Sequence, residues 1–398
     1  MPWKECSSMS LREEFVALSL REDCSMSVLC RRFGISRQTG YKWIRRFKQG
    51  STAALADRSR RPHSSPRRVD QTLEAKVVKL RQEHRAWGGR KIKRRLADLG
   101  ETNVCSAGTV TRILHRHDLI EPSASRSHRA FTSFEYPAPN DLWQMDFKGH
   151  FGLNSGGRCH PLTVLDDHSR YSVLLKSCGD QKTRTVRQHL IGAFERYGLP
   201  TRILCDNGSP WGTCGGVDHH TPLTLWLLRL DVGVIHGRPR HPQTQGKDER
   251  FHATMIAELL RWQTFDDLAA SQAAFDPWRE IYNTQRPHEA LDMNVPAKRY
   301  QVSKRTYPPV LPEVVYPDTD LTRKVSANSG IILHGKRYGI GKAFRGQNIA
   351  LRATATDGVW NVLYCRHRVG QLDERTGAPM TRAPADPLAA FVIPPNQT

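Results

Sequence analysis

The 398-residue sequence contains no Cys-x-x-Cys pair, and its nine cysteines are scattered and odd in number, so neither a disulfide framework nor a standard zinc finger is written into it. Free thiols of this kind point to a reducing, cytoplasmic setting. No uninterrupted apolar stretch approaches the ~18 residues that a membrane span needs. The first residues, Met1-Pro-Trp-Lys-Glu-Cys6, lack the apolar segment of a secretory signal, so no membrane partner is expected. Acidic residues are few: 39, against 60 lysines and arginines, for a net charge of +21. Such an excess favours a polyanionic partner.

The charge is unevenly spread. Over residues 1–130, 28 basic residues face 13 acidic ones; over 131–300, 19 face 19; over 301–398, 13 face 7. Basic flanks around a neutral middle suggest a working domain carried by parts that grip phosphate. The length also exceeds what one core normally serves, so two or three domains are expected.

Residues 11–20, "LREEFVALSL", place Leu11, Phe15 and Leu18 at helical spacing. In "MSVLCRRFGISRQTGYKWIRRF" a short helix ends at Phe33, Gly34 suits a left-handed turn, and Ser36 is placed to cap a third helix. This is the pattern of a helix-turn-helix, whose last helix enters the DNA major groove. Arg37, Gln38, Thr39, Lys42, Arg45 and Arg46 then lie where bases and phosphates would be, with Tyr41, Trp43 or Ile44, and Phe47 facing the core. The expected divisions are a helix-turn-helix over 1–50, a basic linker over 51–70, a second helix-turn-helix-like domain over 71–120 and a linker over 121–136. In the second domain the basic run from Arg90 to Arg95 sits on an intermediate helix, and Arg90 and Lys91 are candidate DNA contacts.

From Leu142 the pattern changes to strands, "LWQMDF", "PLTVLDD" and "YSVLLKSC", followed by helix, strand, helix, strand, helix to about residue 300. That order calls for an α/β domain, a mixed sheet flanked by helices, over 137–300. A helix from Lys182 to Tyr197 closes at Gly198. The last helix is expected to start near Thr264, in a capping box with Asp267, and Pro277 is expected to kink or interrupt it. Residues 318–370 read as strands without long helices, hence a small β-barrel, and 371–398 as a loosely held tail.

Three carboxylates occupy places that burial and periodicity do not explain. Asp146 interrupts the apolar strand "LWQMDF", where a charge needs a partner. Asp206 follows "RILC" at a strand's C-terminal end, where ligands of such sheets gather. Glu249 lies on the first turns of a helix, in "HPQTQGKDERFH", among His241, Lys247 and Arg250. Three acids from two strands and a helix suit Mg²⁺ or Mn²⁺, two ions of which can serve phosphodiester chemistry. Asn207, His241, Lys247 and Arg250 are then candidate contacts to DNA around them.

"LWQMDF", "VLDDHSRY", "LCDNGSP", "HPQTQGKDERFH" and "YNTQRPHEAL" together resemble the catalytic core of bacterial insertion-sequence transposases, enzymes of the DDE type with a retroviral-integrase-like, ribonuclease-H-like fold. The resemblance covers about Pro137 to Tyr300, and the flanking modules follow the family's usual order. It implies that Asp146, Asp206 and Glu249 form the catalytic triad and hold two divalent ions, with Asp248 in the variable place before the glutamate. It also implies binding to terminal inverted repeats, cleavage at the element's ends, joining of the freed 3′-OH to target DNA, and a dimer or higher oligomer on DNA, among nucleoid-associated proteins of a bacterial cytoplasm. Forty-two residues separate Asp206 from Glu249, a longer spacing than is usual in retroviral integrases; Asp248 and Glu258 are the substitutes for Glu249. The histidine-cysteine zinc module of those integrases has no counterpart at the N-terminus.

Other readings stand beside this one. Asp166 and Asp167 fit a polar hairpin turn better than a metal site, and Cys205, Cys214, His219 and His220 match no standard zinc spacing. Trp143 reads as a core anchor, while Arg286 and His288 either touch DNA or pin the last helix. A non-catalytic DNA-binding regulator with a degenerate core is the alternative for the whole chain, and a junction or hybrid nuclease is a third.

Overall fold

The computed structural model describes residues 7–57, 69–120, 135–212, 220–237 and 246–382. Two compact units divide the chain, Met1–Arg68 and Val69–Thr398.

The first unit is a trihelical module of α1 (Ser8–Ser19), α2 (Met26–Arg32) and α3 (Arg37–Gly50). Its core is Phe15, Val16, Leu29, Cys30, Trp43 and Leu55. Gly34 makes the turn between α2 and α3 with φ +63°. The backbone N–H of Thr39 donates to the Ser36 hydroxyl at 3.2 Å, which caps α3 as its sequence promised. Trp43 faces inward, but Tyr41 is 53% exposed and not part of the core. The helical period explains this: Gly40 and Trp43 share the inner face, and Tyr41 is turned about 100° from Gly40.

The second unit opens with α4 (Gln71–Glu83), α5 (Gly89–Asp98) and α6 (Ala107–Arg116) around Val77, Trp87, Ile92, Val110 and Leu114. The central sheet follows, built from β1 (Leu142–Phe147), β2 (Phe151–Gly152), β3 (Arg158–Asp166), β4 (Ser172–Cys178), β5 (Arg202–Cys205) and β6 (Gly233–His236). β3 runs antiparallel to both β4 and β1, β2 pairs with the start of β3, and β5 and β6 continue beyond β1 in parallel. Alternation along the strands sends Trp143, Met145, Ile203 and Cys205 to one face, under α7 (Thr183–Tyr197) and α8 (Pro222–Arg229). The other face, with Leu165 and Leu175, is covered by Phe251 and Met255 of α9 (Gly246–Met255) and by Phe275, Trp278 and Tyr282 of α10 (Leu268–Thr284). A π-helical turn, Ile256–Leu260, extends α9.

Two details at α10 differ from the sequence reading. The cap is Asp267 itself, whose carboxylate accepts the Ala270 N–H at 2.7 Å, and not Thr264. Pro277 lies within a helix that runs unbroken to Thr284. Phe275 and Trp278, buried on either side, hold the helix against the sheet through the missing N–H.

The C-terminal region is an open sheet and not a closed barrel. Its order is β13 (Thr381–Arg382), β12 (His367–Asp373), β11 (Val359–Tyr364), β10 (Asn348–Ala353), β7 (Leu321–Lys324). Among the described residues the hairpin of β8 (Gly330–Leu333) and β9 (Lys336–Gly339) forms its own two-stranded sheet, so no strand joins β7 to β13, although the Met380 N–H donates to the Gly339 carbonyl at 2.9 Å. Its core takes in Leu225 and Leu228 of α8, which fastens this sheet to the central α/β domain. β12 and β13 also carry regular structure beyond the expected boundary at residue 370, as far as Arg382.

Candidate active site

The three carboxylates singled out by sequence come from elements that the sheet brings together. β1 and β5 run parallel with Trp143 opposite Ile203 and Gln144 opposite Leu204, so Asp146, two residues further along β1, lies beside the end of β5, which Asp206 directly follows. Adjacent strands lie about 4.8 Å apart. Glu249 projects from the first turn of α9, which packs on β1 and β3. Asp146 is half-buried, and both Asp206 and Glu249 are exposed. Burial pushes the Asp146 carboxyl up to about 6, the Phe147 N–H at 2.8 Å works against that, and the negative charges of Asp206 and Glu249 raise it further. Among the described residues, no lysine or arginine figures in these influences.

That is the donor chemistry of a hard divalent cation: oxygen ligands whose mutual repulsion a doubly charged ion would relieve. Among the described residues, no group of three or more His, Cys, Asp or Glu is gathered closely enough to enclose an ion as it stands. The donor types therefore fit the group, while a closed cage is not preformed.

Asp248, next to Glu249, points the other way. It is fully buried, and neither carboxyl oxygen has a hydrogen-bond partner among the described residues. Burial first, then the charges of Asp146 and Asp167, drive its carboxyl well above the ordinary range. Asp166 and Asp167 are fully buried too, but well satisfied. Asp166 accepts from the Asn140 N–H at 2.7 Å and the Ser169 N–H at 2.8 Å; Asp167 accepts from the Tyr136 N–H at 2.8 Å and the Gln144 amide at 2.7 Å. They brace the β3–β4 hairpin and the approach to β1. Glu258 forms a buried ion pair with Arg286 at 2.8 Å and is not among the charges acting on Asp146. Of the two substitutes for Glu249, one is thus internally paired and the other is closed off from solvent.

Residues 320–379 match the description "IS481 family transposase, C-terminal domain". Residues 137–242 and 230–296 each match an integrase core domain, 11–63 a helix-turn-helix domain, and 39–114 a homeodomain-like domain. Over 241 residues the chain is 27% identical to the insertion element IS407 uncharacterized 31.7 kDa protein of Burkholderia multivorans, covering 59% of this chain and 83% of that one. Over 251 residues it is 27% identical to the insertion element IS476 uncharacterized 39.2 kDa protein of Xanthomonas euvesicatoria, covering 61% and 68%. Together these matches support a bacterial insertion-sequence transposase with an integrase-like core. Among solved structures the chain is similar, at a TM-score of 0.38 and 13% identity, to a chain of the simian T-cell lymphotropic virus intasome, covering 78% of this chain and 99% of that one. A TM-score of 0.31 and 12% identity relate it to the HTLV-2 integrase catalytic core domain, covering 42% and 99%.

The remaining candidates of this transposase fall in three groups. On α3, Arg37, Gln38, Lys42 and Arg45 are exposed and Thr39 and Arg46 half-buried, with Arg46 and Lys42 lying over the Trp43 ring at 4.9 and 5.1 Å. Arg250 is exposed beside Glu249. A second group has protein partners instead. Lys247 is turned inward onto the Asp167 carboxylate, and burial lowers its ammonium to about 8. Asn207 donates to the Gly237 carbonyl at 2.7 Å, tying the end of β5 to the end of β6. Lys91 is largely enclosed, and Arg90 pairs with Glu289 at 3.7 Å. The third group lies outside the described residues: His241, and Cys214 and His219 of the zinc alternative. Trp143 is fully buried, its indole N–H donating to Asn140 at 3.0 Å, a core anchor.

Sequence reasoning placed a helix from Ser106 to His117, with Val110, Ile113 and Leu114 inward, but named no DNA contact on α6. Its Thr109 N–H donates to the Ser106 hydroxyl at 3.1 Å, the same cap that Ser36 gives α3, and Arg112, His115 and Arg116 are exposed. The signal was available: "SRQT" and "SAGT" carry Ser and Thr at the same spacing. His252 was also missed. Its Nε2 lies 2.8 Å from the Thr163 hydroxyl, which donates to the Asp146 carbonyl at 2.9 Å.

Proposed function

We propose that this transposase cuts the ends of its element and joins them to target DNA by metal-dependent phosphoryl transfer, with Asp146, Asp206 and Glu249 holding one or two Mg²⁺ or Mn²⁺ ions. The observation that carries this reading is Asp146 on β1 beside the parallel strand that ends just before Asp206, with the negative charges of Asp206 and Glu249 acting on its carboxyl. A divalent ion bound there supplies charge stabilisation to the phosphodiester and a more acidic bound water. The chain's own residues orient and grip. Arg250, exposed next to Glu249, is the basic side chain assigned to the phosphate in this reading. Arg37, Gln38, Lys42 and Arg45 on α3 bind the terminal repeats through the major groove, and the chain acts as a dimer or larger assembly that brings two ends together.

The test uses labelled element ends, purified protein and Mg²⁺. Asp146→Asn is expected to bind ends as the unsubstituted protein does and to lose cleavage and joining; joining at the normal rate would remove Asp146 from the site. A second reading, a regulator that binds DNA without cutting it, draws on the open arrangement of the three acids. It predicts sequence-specific binding with no nicking in either Mg²⁺ or Mn²⁺.

A further inference from the structure

The segment that closes α10, "YNTQRPHEAL", is turned toward the helical module of α4, α5 and α6. Arg95 donates from Nη2 to the Gln285 Oε1 at 2.7 Å, and Arg94 from Nη2 to the Asn294 Oδ1 at 3.0 Å. Arg90 adds its ion pair with Glu289, and Ile281 of α10 packs on the module's apolar core. Under this contact lies the Arg286–Glu258 pair, with side chains 9% and 8% exposed. Lys91 is enclosed within reach of Glu258, Glu289 and Arg286, and burial lowers its ammonium to about 8. One face of the module's most basic helix, that of Arg94 and Arg95, is therefore taken by the catalytic domain, while Arg90 and Lys93 stay exposed.

Two of these contacts end on neutral amides. Contacts to phosphate weaken as salt rises, and ion pairs at a surface do the same. A guanidinium on an amide oxygen depends on geometry more than on charge, which suits a joint that must keep one orientation. The joint also reaches the candidate site. Glu258 stands on the π turn that continues α9, nine residues after Glu249. At 1.5 Å per residue that is about 13 Å along a single rod. With one face of α5 committed to the core, α6 keeps its capped N-terminus and its exposed Arg112 and His115, while Arg116 pairs with Glu74 at 2.6 Å.

We propose that this joint is a ruler: by holding α6 and the helix of Glu249 in one unit, Arg94 and Arg95 fix the number of base pairs between the sequence read by α6 and the phosphate brought to the three acids. The proposal rests on the catalytic reading above and adds what selects the phosphate. Arg94 and Arg95 are positioning residues; they touch neither the acids nor, in this arrangement, DNA.

The experiment uses the full chain and labelled duplexes taken from the DNA bordering its coding sequence. Hydroxyl-radical footprints are recorded in the Asp146→Asn background, so that no cut is needed. The ruler predicts an inner and a terminal protected patch, with terminal protection lost when one base pair is inserted between them. Arg94→Ala with Arg95→Ala is expected to keep inner protection and affinity within about twofold, because no DNA contact is removed, but to tolerate the insertion. With Asp146 restored, the double variant should spread its cuts over neighbouring phosphates, and Arg95→Lys alone should narrow them again. Hydrogen exchange at α4 and α6 should be unchanged, which separates loss of the joint from loss of the module. Two patches that follow the insertion together in the unsubstituted joint, or an unaltered footprint in the double variant, overturn the ruler. An uncut end with intact Asp146, in Mg²⁺ and in Mn²⁺, would instead overturn the catalytic reading, while the footprint spacing still decides the ruler.

Discussion

Thr163 and His252 form a strut beneath the candidate site: the imidazole Nε2 of His252 lies 2.8 Å from the Thr163 hydroxyl, which itself donates to the carbonyl of Asp146 at 2.9 Å. Since the threonine hydrogen is committed to Asp146, the histidine must be the donor to Thr163. His252 is one turn beyond Glu249, so the strut joins the helix of one acid to the strand of another. Burial lowers its imidazole to about 4, so it is neutral near pH 7 and adds no positive charge to the acids. Partners behind metal ligands typically contribute 10–100-fold in affinity. Thr163→Val, close in shape and lacking the hydroxyl, is expected to weaken Mn²⁺ binding by about tenfold without lowering the melting temperature of its unit appreciably. Calorimetric titration with Mn²⁺ checks this, and unchanged affinity would reduce the strut to packing.

The raised Asp146 carboxyl gives a pH dependence of definite sign. Below about 6 the group keeps its proton, and a cation must displace it; above that value the carboxylate is free to bind. Apparent affinity for Mg²⁺ should therefore fall by about tenfold per pH unit below this point and level off above pH 7. In Asp146→Asn the slope should largely disappear. Titrations across pH 5 to 8 measure it, and an identical slope in both proteins would assign the proton to another group.

Much of this architecture was legible because the determining patterns are local. Ser36, Gly34 and the apolar spacing of α1 to α3 specify the first module within a few turns, and strand alternation around Asp146 marks a charge with no core role. The basic character of Arg90 and Lys91 was equally visible, but their surroundings were not. The partners of Arg94 and Arg95 lie 200 and 190 residues away and are ordinary Asn and Gln side chains. Lys247 misled for a related reason: its neighbours in sequence are polar, while the carboxylate that captures it sits on β3's hairpin, 80 residues earlier. Barrel closure depends on whether two edge strands meet, which no local period encodes.

Gly89 offers a direct check on the second module. A Cβ there would come within 2.5 Å of the Ala107 carbonyl oxygen and would also press on Thr111, so α5 and α6 cross at glycine distance. Backbone cannot yield as a flexible side chain can. Gly89→Ala is therefore expected to destabilise this module by roughly 1–3 kcal/mol, despite alanine's better helix propensity. Trp87, fully buried in the same core and stacked on His84, reports its unfolding through fluorescence in urea. A midpoint equal to or above that of the unsubstituted protein would show that the helices separate freely.

The Arg286–Glu258 pair should behave as buried ion pairs do when only one partner is removed. At 2.8 Å, with both side chains at least nine-tenths covered, neither charge has ready access to water. Arg286→Met leaves the Glu258 carboxylate enclosed without its guanidinium, and a cost of about 3–5 kcal/mol is expected. Adding Glu258→Leu removes the stranded charge, so the double variant should recover most of that loss and could match the unsubstituted protein. The ordering, with the single variant least stable, is the decisive outcome because the pair's attraction and its desolvation cost nearly cancel while an orphaned charge has only the cost. Urea denaturation of the three proteins measures it. Equal losses in the single and double variants would mean that Glu258 is already neutralised by another group, for which Lys91, whose ammonium is within its influence, is the neighbour at hand.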